Sequence, residues 1–211
     1  MTQICLTWLV RVLVVYLTAS LGEYMPHRFL MHRRRMAMFF ERHGMPAVSA
    51  YLMETFQEHV DHHTKCYDLF NHEEGACGLK NLTIKGVTEL MLAVVPALIA
   101  FHFDWITSVM MFGAALVHAY LWSTFHSEMH RPQGTWFSKT RIFQFLARYH
   151  FLHHRHMNTN YNVIFVGWDW ILFTAAKENA DDREAMQHEH WRVRPMRRKA
   201  SPATTEVTMV A

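Results

Sequence analysis

The chain has 211 residues, is 51% hydrophobic and 14% aromatic, and carries a formal net charge of +3. So small a charge, with no basic stripe interleaved with aromatics, argues against a nucleic-acid partner. Cys5, Cys66 and Cys77 are odd in number, far apart and without a C-x-x-C pair, which excludes a disulfide framework and a thiolate zinc site.

Ile4 to Leu21 is apolar apart from Arg11 and small hydroxyls, close to the roughly 20 residues that cross a hydrocarbon core. No positive segment precedes it, and histidines follow it, so a transmembrane helix is expected rather than a signal peptide. His27 and His32 come next, spaced H-x4-H. Five residues on a regular helix turn through about 140° beyond a full revolution, so from such a helix the two could not share one metal ion, though each could serve a different one. Met36, Met38, Phe39, Phe40, Met45, Tyr51 and Met53 then mark a stretch suited to a membrane-surface helix, a substrate lid or plain packing over the site. Glu54 to Thr64 reads as a helix carrying His59, His62 and His63, an H-x2-H-H element. Val87–Ala100 and Ile106–Trp122, parted by Phe103-Asp104-Trp105, predict a helical hairpin that dips through the membrane and returns. His118 sits mid-span, where an ionisable group suggests a cavity, a ligand support or an interhelical bond. His126 and His130 follow on one helical face, spaced H-x3-H. A helix over Phe143–His156 carries the second H-x2-H-H, His150, His153 and His154, with His156 as a weak supporting candidate. Tyr161–Ala176, with two tryptophans and Asp169, looks interfacial or half-inserted.

The expected architecture is all-α: a membrane helical bundle in residues 1–180, without internal linker or solenoid repeat, and a polar tail over 181–211. Arg28, Arg33, Arg34 and Arg35 follow the first span, and Arg192, Arg194, Arg197, Arg198 and Lys199 crowd the tail. The positive-inside rule puts both in the cytoplasm. All four histidine groups then fall on the cytoplasmic face of an integral membrane protein.

Neutral imidazole is the commonest side-chain metal ligand. Ten histidines in four groups, with few acidic neighbours, point to a polyhistidine centre of two ions, five imidazoles each. The metal is left open by the spacing, since nitrogen donors suit iron, zinc, copper or nickel. Neither the Glu-x-x-His of soluble di-iron bundles nor the H-E-x-x-H of zinc proteases occurs. His43, His72, His188 and His190 read as solvated, and His102 lies on the far side of the hairpin.

Glu23-Tyr24-Met25-Pro26-His27-Arg28 through His32 resembles the E-Y-x-x-H-R-x-x-x-H opening of the fatty acid hydroxylase (sterol desaturase-like) superfamily. The later histidine groups follow in that family's order, and Asn160-Tyr161-Asn162 with Trp168-Asp169 resembles its N-Y-N and W-D elements. The likeness runs from about Leu13 to Thr174. It implies a membrane enzyme with two iron ions, which zinc can replace in purified protein. It also implies that His27, His32, His59, His62, His63, His126, His130, His150, His153 and His154 are the ligands. O2 and two electrons would hydroxylate an unactivated C–H bond of a lipid, fatty acyl or sphingolipid-like.

Two departures carry consequences. No cytochrome-like domain is visible in the chain, so a separate cytochrome, ferredoxin or reductase is the expected electron donor. The family's W-D-x-x-F-G-T becomes Trp168-Asp169-Trp170-Ile171-Leu172-Phe173-Thr174, without its glycine. Glu23, Glu58, Asp61, Glu128 and Asp169, next to ligands, are candidates either to orient imidazole N–H groups or to face water. Alternative outcomes of the same centre are desaturation, sterol methyl oxidation or carotenoid hydroxylation. A rival of another class is a non-catalytic metal-binding membrane protein. The host membrane would be the bacterial inner membrane, or the endoplasmic reticulum in a eukaryote.

Overall fold

The structure is a computed structural model that describes residues 2–66 and 86–188. Cys77, His72, His190 and the basic residues Arg192 to Lys199 lie outside the described residues. Among those described there are eight α-helices and no strand.

Helix α1 spans Thr2–Pro26 and continues as a π-helical turn, His27–Met31. Pro26 has no N–H for the carbonyl four residues back, so the regular ladder is already interrupted where the turn widens. Helices α2 (Arg35–Arg42) and α3 (Pro46–Asp61) form a short antiparallel pair around Gly44, whose φ of 73° needs a residue without Cβ. The predicted Glu54–Thr64 helix thus starts earlier than expected, because Pro46 at its first turn fixes a helical φ. A second π-helical turn, His62–Cys66, extends α3. Met36, Phe39, Met45, Val48 and Tyr51 are exposed on this pair while Ala37, Ser49 and Leu52 are buried.

The expected hairpin is present as α4 (Gly86–Phe101) packed on α5 (Trp105–His130). Asp104 caps α5, accepting from Ile106 N at 3.1 Å and Thr107 Oγ1 at 2.7 Å. The same carboxylate pairs with Arg11 of α1 at 2.6 Å, tying the hairpin turn to the first helix. Helix α6 (Arg141–Arg155) begins two residues before the predicted start, because the Thr140 hydroxyl accepts from Phe143 N at 3.3 Å. Helix α7 (Gly167–Ile171) is a short turn packed on α1, held by Trp168 Nε1 donating to the Leu17 carbonyl at 2.7 Å.

Two helical stretches are long and apolar enough to cross a membrane, Gln3–Met31 and Trp105–His130. Ile4, Leu9, Leu13, Leu116 and Tyr120 on them are exposed, as are Trp170 and Ile171 on α7 and Leu172 and Phe173 after it. The core consists instead of Tyr24, Met129, Phe143, Ala147, Tyr161 and Val163, with histidines between them.

Contacts divide the chain into Met1–Lys177 and Glu178–Ala211. In the second unit α8 (Ala180–His188) starts with a reciprocal cap: Asn179 N donates to Asp182 at 3.0 Å, and Asp182 N to Asn179 at 2.8 Å.

Candidate metal centre

Nine of the ten expected ligands fall into two groups whose ligand atoms lie within 4.8 Å of one another: His27, His32, His59, His63 and His153, and His62, His130, His150 and His154. His126 borders the second group, its ring 4.7 Å from that of His130, 4.8 Å from His150 and 5.0 Å from His62. Trp122 covers its other side at 4.2 Å.

The spacings explain the sorting. In each H-x2-H-H element the outer pair is one helical turn apart, so His59 and His63 join the first group, and His150 and His154 the second. The middle histidine crosses over: His62 joins the second group and His153 the first. The two elements match ring by ring. The outer pairs stand at 4.6 and 4.8 Å, and the first and middle rings at 5.7 Å in both, stacked at 20° and 23°. H-x4-H completes the first set, and the second member of H-x3-H, His130, completes the second, with His126 at its border. The expectation from a regular helix, that His27 and His32 could not share an ion, is corrected. The π-turn, with His32 N donating to His27 O at 3.2 Å, brings residues five apart onto one face, and both rings enter the first group.

The Nε2 atoms set a test of fit. In the first group His59 Nε2 lies 3.1 Å from that of His27, 3.0 Å from His32 and 3.1 Å from His63, while His32 and His153 stand at 3.1 Å. In the second, His62–His154 and His130–His150 are 3.2 and 3.0 Å apart. A single proton on His59 could satisfy one of its three neighbours, leaving lone pairs facing lone pairs. A cation satisfies them all. Metal–nitrogen bonds of about 2.1 Å put adjacent ligand atoms about 3.0 Å apart at right angles and about 3.4 Å apart in a tetrahedron, which brackets the observed values. The residues therefore fit a pair of metal ions. Both groups consist of imidazole alone, a nitrogen donor set that suits iron, zinc, copper or nickel rather than calcium or magnesium.

Protonation is set the same way. Burial first, then neighbouring imidazoles, hold His59, His62, His150 and His154 far below the usual imidazole range. His32 is lowered to about 2 by burial and by its neighbours, His153 first. His153 is lowered only to about 4, because the Thr159 carbonyl accepting from its Nδ1 opposes burial. Neutral imidazole is the form that ligates.

Three of the carboxylates beside ligands, Glu23, Asp169 and Glu128, serve backbone amides rather than the clustered imidazoles. Glu23 accepts from the backbone N–H of Val163 at 2.6 Å, Ile164 at 3.0 Å and Phe165 at 3.0 Å. Asp169 accepts from Tyr161 N at 3.0 Å and Asn162 N at 2.7 Å. Glu128 accepts from the amides of Gln133, Gly134 and Thr135, and Asp61 from Gln57. Backbone carbonyls orient two of the imidazoles: Tyr161 O accepts from His27 Nδ1, and Thr159 O from His153 Nδ1 at 2.6 Å. A buried carboxylate serves better where several amides need an acceptor, and an imidazole needs only one. His118 makes an interhelical contact, 3.5 Å from Glu23, and stacks on Phe165. His43 and His102 are exposed. His156 closes α6, its carbonyl accepting from Thr159 N at 2.9 Å.

No family model, curated protein or solved structure matches this chain. What the fold and the site define is an all-α protein with two helices able to cross a membrane and two buried histidine groups that could hold metal ions.

Proposed function

We propose that this chain is a membrane-bound, non-haem di-iron oxygenase of the fatty acid hydroxylase kind, acting on a C–H bond of a lipid. The observation that carries the reading is the convergence of Nε2 atoms at 3.0–3.2 Å in two adjoining groups, with no carboxylate among them. The order of motifs around those histidines supports the family, and the exposed apolar faces of α1 and α5 support the membrane. All ten grouped histidines, His126 included, are the proposed ligands.

Bound there, two iron ions would supply O2 activation: substrate C–H, O2, two electrons and two protons become C–OH and water. The chain's own part is to hold neutral imidazoles in fixed orientation and to keep water out with Tyr24, Met129, Phe143, Tyr161 and Val163. Electrons come from a separate cytochrome, ferredoxin or reductase, and the centre faces the cytoplasm. Histidines gathered in one layer, rather than strung along a path through the bilayer, favour catalysis over metal transport.

The test is untargeted mass spectrometry of lipids from cells expressing the wild type or His153→Ala, paired with reductant-dependent O2 uptake by iron-loaded protein. Lipids gaining one oxygen with the wild type alone are the expected result. Loss of two hydrogens would redirect the reading to a desaturase. Absence of lipid-stimulated O2 uptake in reduced, iron-loaded protein would leave a metal-binding protein without catalysis.

A further inference from the structure

The segment after α6 touches the first histidine group through two carbonyls two residues apart. Thr159 O meets His153 and Tyr161 O meets His27. Both imidazoles belong to the first group, and the Tyr161 ring also lies against three of its members, His27, His32 and His153, at 5.9, 5.6 and 5.8 Å.

Each of these carbonyls shares a rigid peptide plane with the N–H of the next residue. The N–H sharing the plane of Tyr161 C=O is that of Asn162, and it donates to Asp169 Oδ2 at 2.7 Å. The N–H sharing the plane of Thr159 C=O is that of Asn160, and it donates to the Thr174 carbonyl at 2.9 Å. Thr174 is itself held by Asp169: its hydroxyl donates to Oδ1 at 2.6 Å, and its N–H to the Asp169 carbonyl at 2.8 Å. Asn160 adopts φ of 52°, a conformation asparagine tolerates, and its side chain bridges Tyr149 O at 2.8 Å and Ala176 N at 2.6 Å. One fully buried aspartate therefore fixes both peptide planes.

We propose that Asp169 is a positioning residue for the first metal ion, acting on His27 through the Tyr161–Asn162 peptide and on His153 through Thr174 and the Thr159–Asn160 peptide. The arrangement is a carboxylate–imidazole–metal chain with a peptide group interposed. A peptide whose N–H is bonded to a carboxylate is polarised, so its C=O accepts more strongly and makes the imidazole a better donor to metal. Glu23, by contrast, holds the backbone amides of residues 163–165 and meets Asn162 only at its side chain, at 3.4 Å, so neither peptide plane that reaches the histidines bonds to it. The consequence is that the two ions are bound with separately adjustable affinity. This rests on the two histidine groups holding metal.

The experiment is chelator titration of purified full-length protein loaded with Co2+, reading the two equivalents by absorbance and elemental analysis. Asp169→Asn replaces one acceptor oxygen with a donor, so a fixed N–H loses its partner. It should weaken one equivalent by roughly 10–100-fold, the usual consequence of losing an outer partner of a ligand, and leave the other at its wild-type affinity. His27→Ala marks which equivalent is the first. Glu23→Gln should move neither by more than a few-fold. If Asp169→Asn does not fold, Thr174→Val decides. It removes the hydroxyl that steadies the carboxylate, and should weaken the same equivalent in a smaller step. Equal weakening of both ions, wild-type behaviour in the folded variant, or an equal effect of Glu23→Gln would overturn the proposal. A wild type that binds no Co2+ would instead overturn the metal centre itself.

Discussion

The two ends of α1 are one continuous helix in opposite surroundings. At its start Ile4 and Leu9 are 65% and 64% exposed, although both are strongly apolar. At its end Ser20, Glu23 and His27 are 0%, 6% and 4% exposed, although all three are polar. In water the opposite distribution would be stable, since apolar burial stabilises by about 25 cal/mol per Å² and an unpaired buried polar group costs several kcal/mol. The inversion has a separate cause at each end. The outer end is long and apolar enough to suit a bilayer. The inner end is tolerable because its polar atoms are partnered: Ser20 Oγ accepts from Trp168 N at 3.0 Å, Glu23 takes three backbone amides, and His27 meets a carbonyl on one side and its fellow imidazoles on the other. One helix of 25 residues thus suits a lipid at one end and runs at the other into a hydrogen-bonded histidine cluster that could hold metal.

The inner end is where the contrast can be broken most severely. Removing a ligand should cost more than the roughly 10–100-fold that an outer partner costs. The crossed sorting of the H-x2-H-H elements makes the outcome specific. His62→Ala with His154→Ala removes two members of the second group and should leave one equivalent of metal. His62→Ala with His63→Ala, neighbours in sequence but members of different groups, should deplete both. Metal content of purified protein separates the cases, and equal stoichiometry in the two double variants would refute the crossing.

Acid attacks the same end more gradually. Unfolded imidazole titrates near about 6.5, whereas His153 in place titrates at about 4 and His32 at about 2. Between those values the unfolded chain binds protons that the folded cluster refuses, so stability rises with pH. It should be fully present above about pH 6.5 and fall steadily as pH drops toward 4, with metal released over the same window because protonated imidazole cannot ligate. Thermal unfolding and metal retention at pH 7.5 and 5 check this. A stability unchanged between them would mean that the imidazoles are not buried neutral.

How much of this was legible follows from which interactions are local. The four histidine groups, the hairpin broken at Phe103-Asp104-Trp105 and the helix bearing His150, His153 and His154 were readable because helical periodicity and turn residues act within a few positions. The convergence of His27 and His32 in one group was not, since a 3.6-residue period separates residues five apart and nothing in the letters announces a π-turn beyond Pro26. The crossing of His62 and His153 was hidden for another reason: spacing fixes which side chains share a face, but not which of the two histidine groups that face joins. Asp169 and Glu23 were noticed for being near ligands, and their partners were misjudged. Their acceptors serve amides in residues 161–165, a tertiary contact 140 residues away along the chain in the case of Glu23 and Val163. Asn160-Tyr161-Asn162 was the available signal, because asparagines flanking an aromatic suggest a backbone held in an unusual turn.

The outer end of α1 offers the mildest break and the sharpest distinction between solvents. Leu9 touches little of the protein, so Leu9→Lys removes almost no packing. On a water-facing helix such a change is worth no more than about 0.5 kcal/mol in either direction. In hydrocarbon, a lysine costs up to about 3 kcal/mol near the middle of the span, and less toward an end where the side chain can snorkel to the headgroups. Leu9 lies in the outer half of the Gln3–Met31 stretch, so an intermediate cost is expected. It should appear as a several-fold loss of carbonate-resistant, membrane-integrated protein. Ser20→Lys in the same helix should act differently, because Ser20 is enclosed by protein. There the charge would disrupt the contacts with Phe165 and Trp168 and unfold the site rather than merely weaken insertion. If Leu9→Lys left integration untouched, the exposed apolar end would have to be covered by protein rather than by lipid.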